Sequence, residues 1–169
     1  GLMGSRIGGT SWKFSEKGVG IHTDGSDGHI DFGTDPITEF DLPFSLVWVG
    51  SIDVNASGIM LDKGSHGLYE HGYSLAQNSS NQFVYKVASS DRKESDITGV
   101  NSFNDGKVHV VQFSVYNNVQ IGYVDGKEEG RNNRSLGGFV NYNTNKEFWF
   151  GGGNFGGLYG AANHILFIG

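Results

Sequence analysis

The stretch that most constrains this fold is residues 104–127, NDGKVHVVQFSVYNNVQIGYVDGK. Between Val108 and Tyr116, the positions His109, Val111, Phe113 and Val115 alternate with Val108, Val110, Gln112 and Ser114. Successive side chains of a strand point to opposite faces, so this period of two predicts a strand. Asn117-Asn118 predicts a turn, because Asn tolerates the left-handed backbone of a tight hairpin. Residues 119–124 return, and Asp125-Gly126 predicts a second two-residue turn. A regular hairpin with apolar positions on both faces belongs inside a sheet.

The rest of the chain agrees with that local reading. Only 18% of residues are charged, 28 are glycine and 13% are aromatic, a balance that favours an all-β domain with many turns. No segment shows sustained apolar spacing of three and four. At 169 residues the chain predicts one domain, large enough to bury a core without disulfides, and it has no cysteine. A disulfide-free domain of this kind suggests a bacterial or viral source. A formal net charge of −6 argues against nucleic acid as a partner, which rewards a basic stripe. No apolar run is long enough to span a membrane.

In chain order, residues 1–9 hold no pattern and read as a tail, the opening GLMGS resembling a cloning scar or linker. Ser11-Trp12-Lys13-Phe14 alternates as a first strand, and residues 22–28 form a turn cluster. In the next strand, residues 29–33, Ile30 and Phe32 should be buried and His29 and Asp31 wet. Further strands are expected at 44–49, 59–61, 72–76, 82–87, 147–150 and 164–168. Residues 89–96 read as a polar loop, as do residues 130–145, while residues 151–160 read as a glycine-rich connection. About ten to twelve short strands with turn signals every ~8–12 residues is the spacing of a sandwich or barrel.

Read together, six segments in order resemble the laminin-G-like, concanavalin A-type jelly roll. They are HIDFG at 29–33, FSLVWV at 44–49, MLDKG at 60–64, GYSL at 72–75, the NDGKVHV…YVDGK hairpin and the closing FGGG with residues 160–168. The resemblance covers residues 10–169 and implies an antiparallel β-sandwich. In three places the pattern departs: Val108 stands where the family usually has Trp, Trp48 is one position off register, and His164 replaces an acid. The family continues past its closing strand, so the resemblance implies a module of a longer protein.

Three kinds of site are open. Hydrolases of this fold carry E-x-D-x-E on one strand, which is absent, and glycoside cleavage needs two carboxylates across a sugar cleft. Glu128-Glu129 are adjacent just past a turn and are expected to be solvated. Asp27, His29 and Asp31 alternate on one face and could serve acid–base chemistry or a metal; the competing reading is a polar edge strand that discourages pairing. The family resemblance implies a structural Ca²⁺ near the terminal strands, for which Asp24, Asp27 and Asn163 are the candidate oxygen donors. The resemblance also implies that Phe148 and Phe150 are buried, which turns Trp149 outward. A sugar packs its C–H face on such a ring while amides and hydroxyls take its oxygens. Trp149 with Tyr123, Tyr73, Asn141, Tyr142 and Asn154 is therefore the expected ligand-binding set, unless another part of the sandwich or an adjoining domain covers it.

The glycine-rich run at 151–160 lacks the following helix that a phosphate-binding loop needs. The expectation is a non-catalytic recognition module that binds a glycan or another surface for a larger extracellular, cell-surface or virion protein. A structural virion domain, contacting neighbouring subunits without sugar, and a polysaccharide hydrolase or lyase are the alternatives.

Overall fold

The computed structural model describes residues 3–15, 18–38, 40, 42–52, 58–64, 72–88, 94–116, 118–133, 147–151 and 162–166, with Ser15, Glu94 and residues 162–166 described by their backbone alone. Within them lie fourteen strands: β1 (Ser5–Ile7), β2 (Thr10–Ser15), β3 (Gly18–Asp24), β4 (His29–Asp31), β5 (Phe44–Ile52), β6 (Gly58–Gly64), β7 (Gly72–Gln77), β8 (Phe83–Ala88), β9 (Glu94–Thr98), β10 (His109–Val115), β11 (Gln120–Val124), β12 (Lys127–Asn132), β13 (Phe148–Phe150) and β14 (Ala162–Leu166). A single turn of 3₁₀ helix at Pro36–Thr38 precedes β5.

The strands form two seven-stranded sheets. The first runs β1-β4-β13-β6-β7-β8-β9 and the second β12-β11-β10-β5-β14-β3-β2. Neighbouring strands pair antiparallel throughout. The chain changes sheet between β1 and β2, β3 and β4, β4 and β5, β5 and β6, β9 and β10, β12 and β13, and β13 and β14, so the sheets are interleaved in sequence.

Alternation explains the core. The second sheet contributes Trp48, Val111, Phe113, Val115 and Val124, and the first contributes Leu61, Tyr73, Leu75, Phe83, Tyr85, Val87, Ile97 and Phe148. Rings meet across the sandwich, Tyr85 on Phe113 at 5.5 Å and Trp48 on Phe83 at 6.4 Å between centroids. Polar groups also cross it. The Tyr85 hydroxyl donates to the Tyr123 carbonyl at 3.2 Å, and the Ser95 hydroxyl donates to Gln120 Oε1 at 2.6 Å. A Cβ at Gly122 would collide with the ring of buried Tyr85, so the backbone there serves as a packing surface that only glycine leaves free.

The central hairpin forms as β10 and β11, with Val111↔Val124 through Val115↔Gln120 in register. Its second turn has positive φ at both Asp125 (50°) and Gly126 (78°), the geometry of a primed turn. The two Asp-Gly turns are joined by His109. Its Nδ1 lies 2.8 Å from Asp125 Oδ2 and its Nε2 lies 3.1 Å from Asp105 Oδ1, and the Phe103 ring abuts it edge-on at 5.1 Å. Asp125 Oδ1 also accepts the Val110 N–H at 2.9 Å.

Four expectations are corrected. Residues 5–7, expected in a tail, form β1 against β4, because backbone pairing needs no apolar side chain. The expected turn cluster at 22–28 is narrower, since His22, Thr23 and Asp24 belong to β3. Residues 94–98 form β9, not loop: Ser95 and Ile97 are buried, and Asp96 and Thr98 face out. Residues 127–132 form β12, and of the two acids expected in solvent Glu129 is buried. Its carboxylate accepts the Asn101 N–H at 3.0 Å and the Asn101 amide at 2.7 Å. Glu128 remains exposed and pairs with Arg131 at 2.8 Å.

Candidate functional site

The outer face of the first sheet carries a line of polar side chains that strand register places side by side. Asp31 pairs with Trp149, Trp149 with Asp62, Asp62 with Ser74, Ser74 with Lys86 and Lys86 with Asp96. Directly paired residues in antiparallel strands point to the same side. Each of the five strands from β13 to β9 turns its apolar partners inward: Phe148 and Phe150, Leu61, Leu75, Tyr85 and Val87, and Ile97. The opposite face is thereby left to the polar row. Asp62 and Ser74 are buried within it, each 1% exposed and already engaged with other groups of the protein, whereas Asp96 at its end is exposed. The positions flanking the row are short on one side and include Ile59 and Val84 on the other. Gly64, Gly72 and Ala88 pair in succession on one side, and Ala76 pairs with Val84 on the other.

Trp149 stands in this row as its one aromatic. Its ring stacks on the His29 imidazole at 4.2 Å with 26° between planes. The indole Nε1–H is buried and has no hydrogen-bond partner. A buried donor left unsatisfied costs about 1–3 kcal/mol, so such groups in folded proteins call for a reason. His29, expected to be wet, is buried instead, because Trp149 covers it; its Nδ1 lies 3.0 Å from the Asp27 carbonyl. Asp31 accepts the Gly33 N–H at 2.7 Å and holds the turn after β4. Asp27, His29 and Asp31 are therefore engaged with backbone groups or with the indole. Among the described residues no three His, Asp or Glu side chains gather as a metal site would require.

The remaining expected site residues fall in different places. Tyr73 is corrected from platform to core: it is 2% exposed, its ring packs on Phe40 at 5.2 Å, and its hydroxyl donates to the Thr38 carbonyl at 2.7 Å. The GYSL strand turns Tyr73 and Leu75 inward together, which leaves Ser74 on the outer face. Tyr123 lies on the second sheet, paired with Gln112 and Glu128, so it does not join Trp149. Asn141, Tyr142 and Asn154 lie outside the described residues, and of Asn163 only the backbone is described, paired with Thr23 and Ile52.

Asp24 and Asp27 sit at the β3–β4 turn. Asp24 Oδ1 accepts the N–H groups of Ser26 (3.0 Å) and Gly28 (2.9 Å), and Asp27 Oδ1 accepts the Gly9 N–H (2.9 Å). The Ser26 bond, then the Gly28 bond, holds the Asp24 carboxyl below its ordinary range. An anionic Asp24 so anchored keeps Oδ2 for a further partner.

Sequence reasoning missed Asp62, Ser74, Lys86 and Asp96. A signal existed in part: Asp62 and Lys86 are charged residues inside the apolar runs IMLDK and FVYKV. Their alignment depended on register between strands as far apart as β4 and β9.

No protein-family model and no curated protein sequence matches this chain. Solved structures do match by fold. Domain 4 of AbnA, a GH43 extracellular arabinanase from Geobacillus stearothermophilus in complex with arabinotriose, is 16% identical with a TM-score of 0.63, over 94% of this chain and 74% of that one. The LG4-5 domains of mouse laminin α1 match at 15% identity and a TM-score of 0.54, covering 76% of this chain and 35% of that one. The CBM40 of the Ruminococcus gnavus IT-sialidase bound to α2,3 sialyllactose matches at 12% identity and a TM-score of 0.52, over 76% of this chain and 81% of that one. This chain thus spans about a third of the laminin chain. The fold is the laminin-G-like, concanavalin A-type jelly roll, an antiparallel β-sandwich.

Proposed function

We propose that this chain is a non-catalytic carbohydrate-binding module of a larger extracellular or surface protein, and that it holds sugar on the outer face of its first sheet. The observation that carries this reading is the aligned row Asp31, Trp149, Asp62, Ser74, Lys86 and Asp96, with the orphaned Trp149 Nε1–H inside it. A ligand hydroxyl accepting that N–H would remove the cost of an unpaired donor, and the exposed Asp96 carboxylate at the end of the row can accept from another. Two of the fold's matches are described with a bound oligosaccharide, which supports the same class of ligand. Among the described residues no helix is long and apolar enough to cross a membrane.

Trp149→Phe tests the reading on a glycan array. The variant keeps an aromatic ring but deletes the donor, so bound signal should fall about tenfold for the loss of one sheltered hydrogen bond. Binding equal to that of the parent would remove Trp149 from the site. A second reading has its own support. Trp12 (53% exposed), Phe14 (78%) and Val19 (43%) share a face of the β2–β3 edge, as a structural domain packed against a neighbouring subunit would require. A stable oligomer in light scattering, lost on Phe14→Ser, together with a silent array, would favour that role.

A further inference from the structure

We infer that this chain pairs with a second copy of itself along β2, so that the second sheets of two molecules run on as one. The inference names an occupant for the apolar β2–β3 edge noted above, and it holds whether or not the chain binds sugar. Among the described residues the two sheets end in four edge strands, β1, β9, β12 and β2. An edge strand invites pairing unless it is short, charged or covered. β9 and β12 cover each other. The Ser95 hydroxyl reaches Gln120 at 2.6 Å, the Asn132 amide reaches the Asp96 carbonyl at 3.4 Å, and Ile97 leaves no room for a Cβ at Gly130. β1 is only three residues long. β2 has six residues, TSWKFS, with one charge and no proline.

Register shows which face β2 brings to a partner. Trp12 pairs with Ile21 and Phe14 with Val19, so these four side chains lie on one side of the sheet. Ile21 is buried there, whereas Trp12, Phe14 and Val19 stand out in solvent. The apolar face thus continues past the part that the molecule itself covers. A two-fold axis normal to the sheet pairs β2 with its copy antiparallel and keeps this side common to both. A register centred on residue 13 sets Lys13 against the partner's Lys13, and like charges directly opposite destabilise. One centred on residue 14 pairs only residues 13–15. One centred on residue 12 pairs residues 10–14 and places Trp12 against the partner's Trp12, Lys13 against the partner's Ser11 and Phe14 against the partner's Thr10. That register joins the most residues without opposing charges.

Charge and area both suit self-association here. β1 and β2 carry Arg6 and Lys13 and no acid, on a chain of formal net charge −6. Two copies of an acidic protein repel each other least where neither presents a carboxylate. The exposed parts of Trp12, Phe14 and Val19 come to about 350 Å² in each copy, so a pair removes about 700 Å² of apolar surface before the strand backbones are counted. With the backbones added, the contact lies at the small end of specific interfaces, which predicts a weak, reversible dimer.

Sedimentation equilibrium of the full chain from about 10 µM to about 1 mM tests the pairing. The expected result is a monomer–dimer equilibrium that Phe14→Asp weakens about tenfold or more, with the melting temperature nearly unchanged because Phe14 is exposed. The register is read by cross-linking, since the chain has no cysteine of its own. Ser11→Cys and Lys13→Cys chains mixed under oxidation should form a mixed disulfide in excess of either homodimer, because directly paired antiparallel residues bring their Cβ atoms near disulfide reach. A monomer at every concentration, open-ended polymers, or a dimer indifferent to Phe14→Asp would overturn the inference. A dimer that Phe14→Asp dissolves but that gives no excess of mixed disulfide would overturn the strand pairing while leaving an apolar contact between subunits.

Discussion

Replacing His109 by alanine tests whether the two Asp-Gly turns are held as one unit. The imidazole is 11% exposed and lies 2.8 Å from Asp125 Oδ2 and 3.1 Å from Asp105 Oδ1. A hydrogen bond to a charged group is worth about 1.5–3 kcal/mol when sheltered. Asp105 and Asp125 are 41% and 48% exposed, so solvent screening draws each bond toward the ~1 kcal/mol of a surface pair. Two such bonds and the lost packing against Phe103 together predict a loss of about 2–3 kcal/mol. For a chain of this size that lowers the melting temperature by about 5–10 °C.

The acid limb gives an independent check. Partial burial would raise Asp105, but the N–H and ammonium of Lys107 and the His109 ring outweigh it and hold its carboxyl below the usual range. Asp125 shows the same balance, with burial overcome by the Val110 N–H and His109. Groups depressed in the folded state stabilise it fully above their unfolded value near 3.8, and that contribution is lost as pH falls through the folded values. The alanine variant should therefore lose stability at a higher pH than the parent as acid is added. Calorimetry at neutral pH and a circular-dichroism titration between about pH 5 and about pH 2 measure both effects. A loss below about 0.5 kcal/mol, the range of ordinary surface substitutions, or an unshifted acid limb would refute the reasoning.

Gly122→Ala should destabilise by about 1–3 kcal/mol in denaturant titration, because its methyl group collides with the ring of Tyr85, which is fully buried and has no room to yield. Glu129→Ala leaves the Asn101 N–H and amide without their carboxylate and should cost about 1–3 kcal/mol, whereas Glu128→Ala, at an exposed pair with Arg131, should leave the denaturation midpoint nearly unchanged. If Asp24, Asp27 and Asn163 hold Ca²⁺, added calcium raises the melting temperature, chelator reverses the rise, and Asp24→Ala abolishes it. A melting temperature indifferent to calcium would retire that site.

How far the sequence could be read is visible in particular residues. The period-two pattern at 108–116 found β10 because strand alternation is a property of neighbouring residues. The same signal failed at β1, where Ser5, Arg6 and Ile7 are all exposed and the strand exists through its backbone bonds to β4. It also failed at β9, whose polar ESDIT hides buried Ser95 and Ile97. The resemblance turned Trp149 outward and Tyr73 was set beside it as a neighbouring aromatic, yet they occupy opposite faces of the first sheet, Tyr73 inward and Trp149 outward.

By itself the sequence determined the class of fold and the central hairpin, since turns and alternation are local consequences of residue type. Only the tertiary structure decided which outward residues stand together. Asp31 and Asp96 are brought into one line with Trp149, Asp62, Ser74 and Lys86 by five separate strand pairings. A one-residue slip in any pairing would turn a member of that line to the other face, and register is set by packing of the buried face, not by the polar residues it aligns.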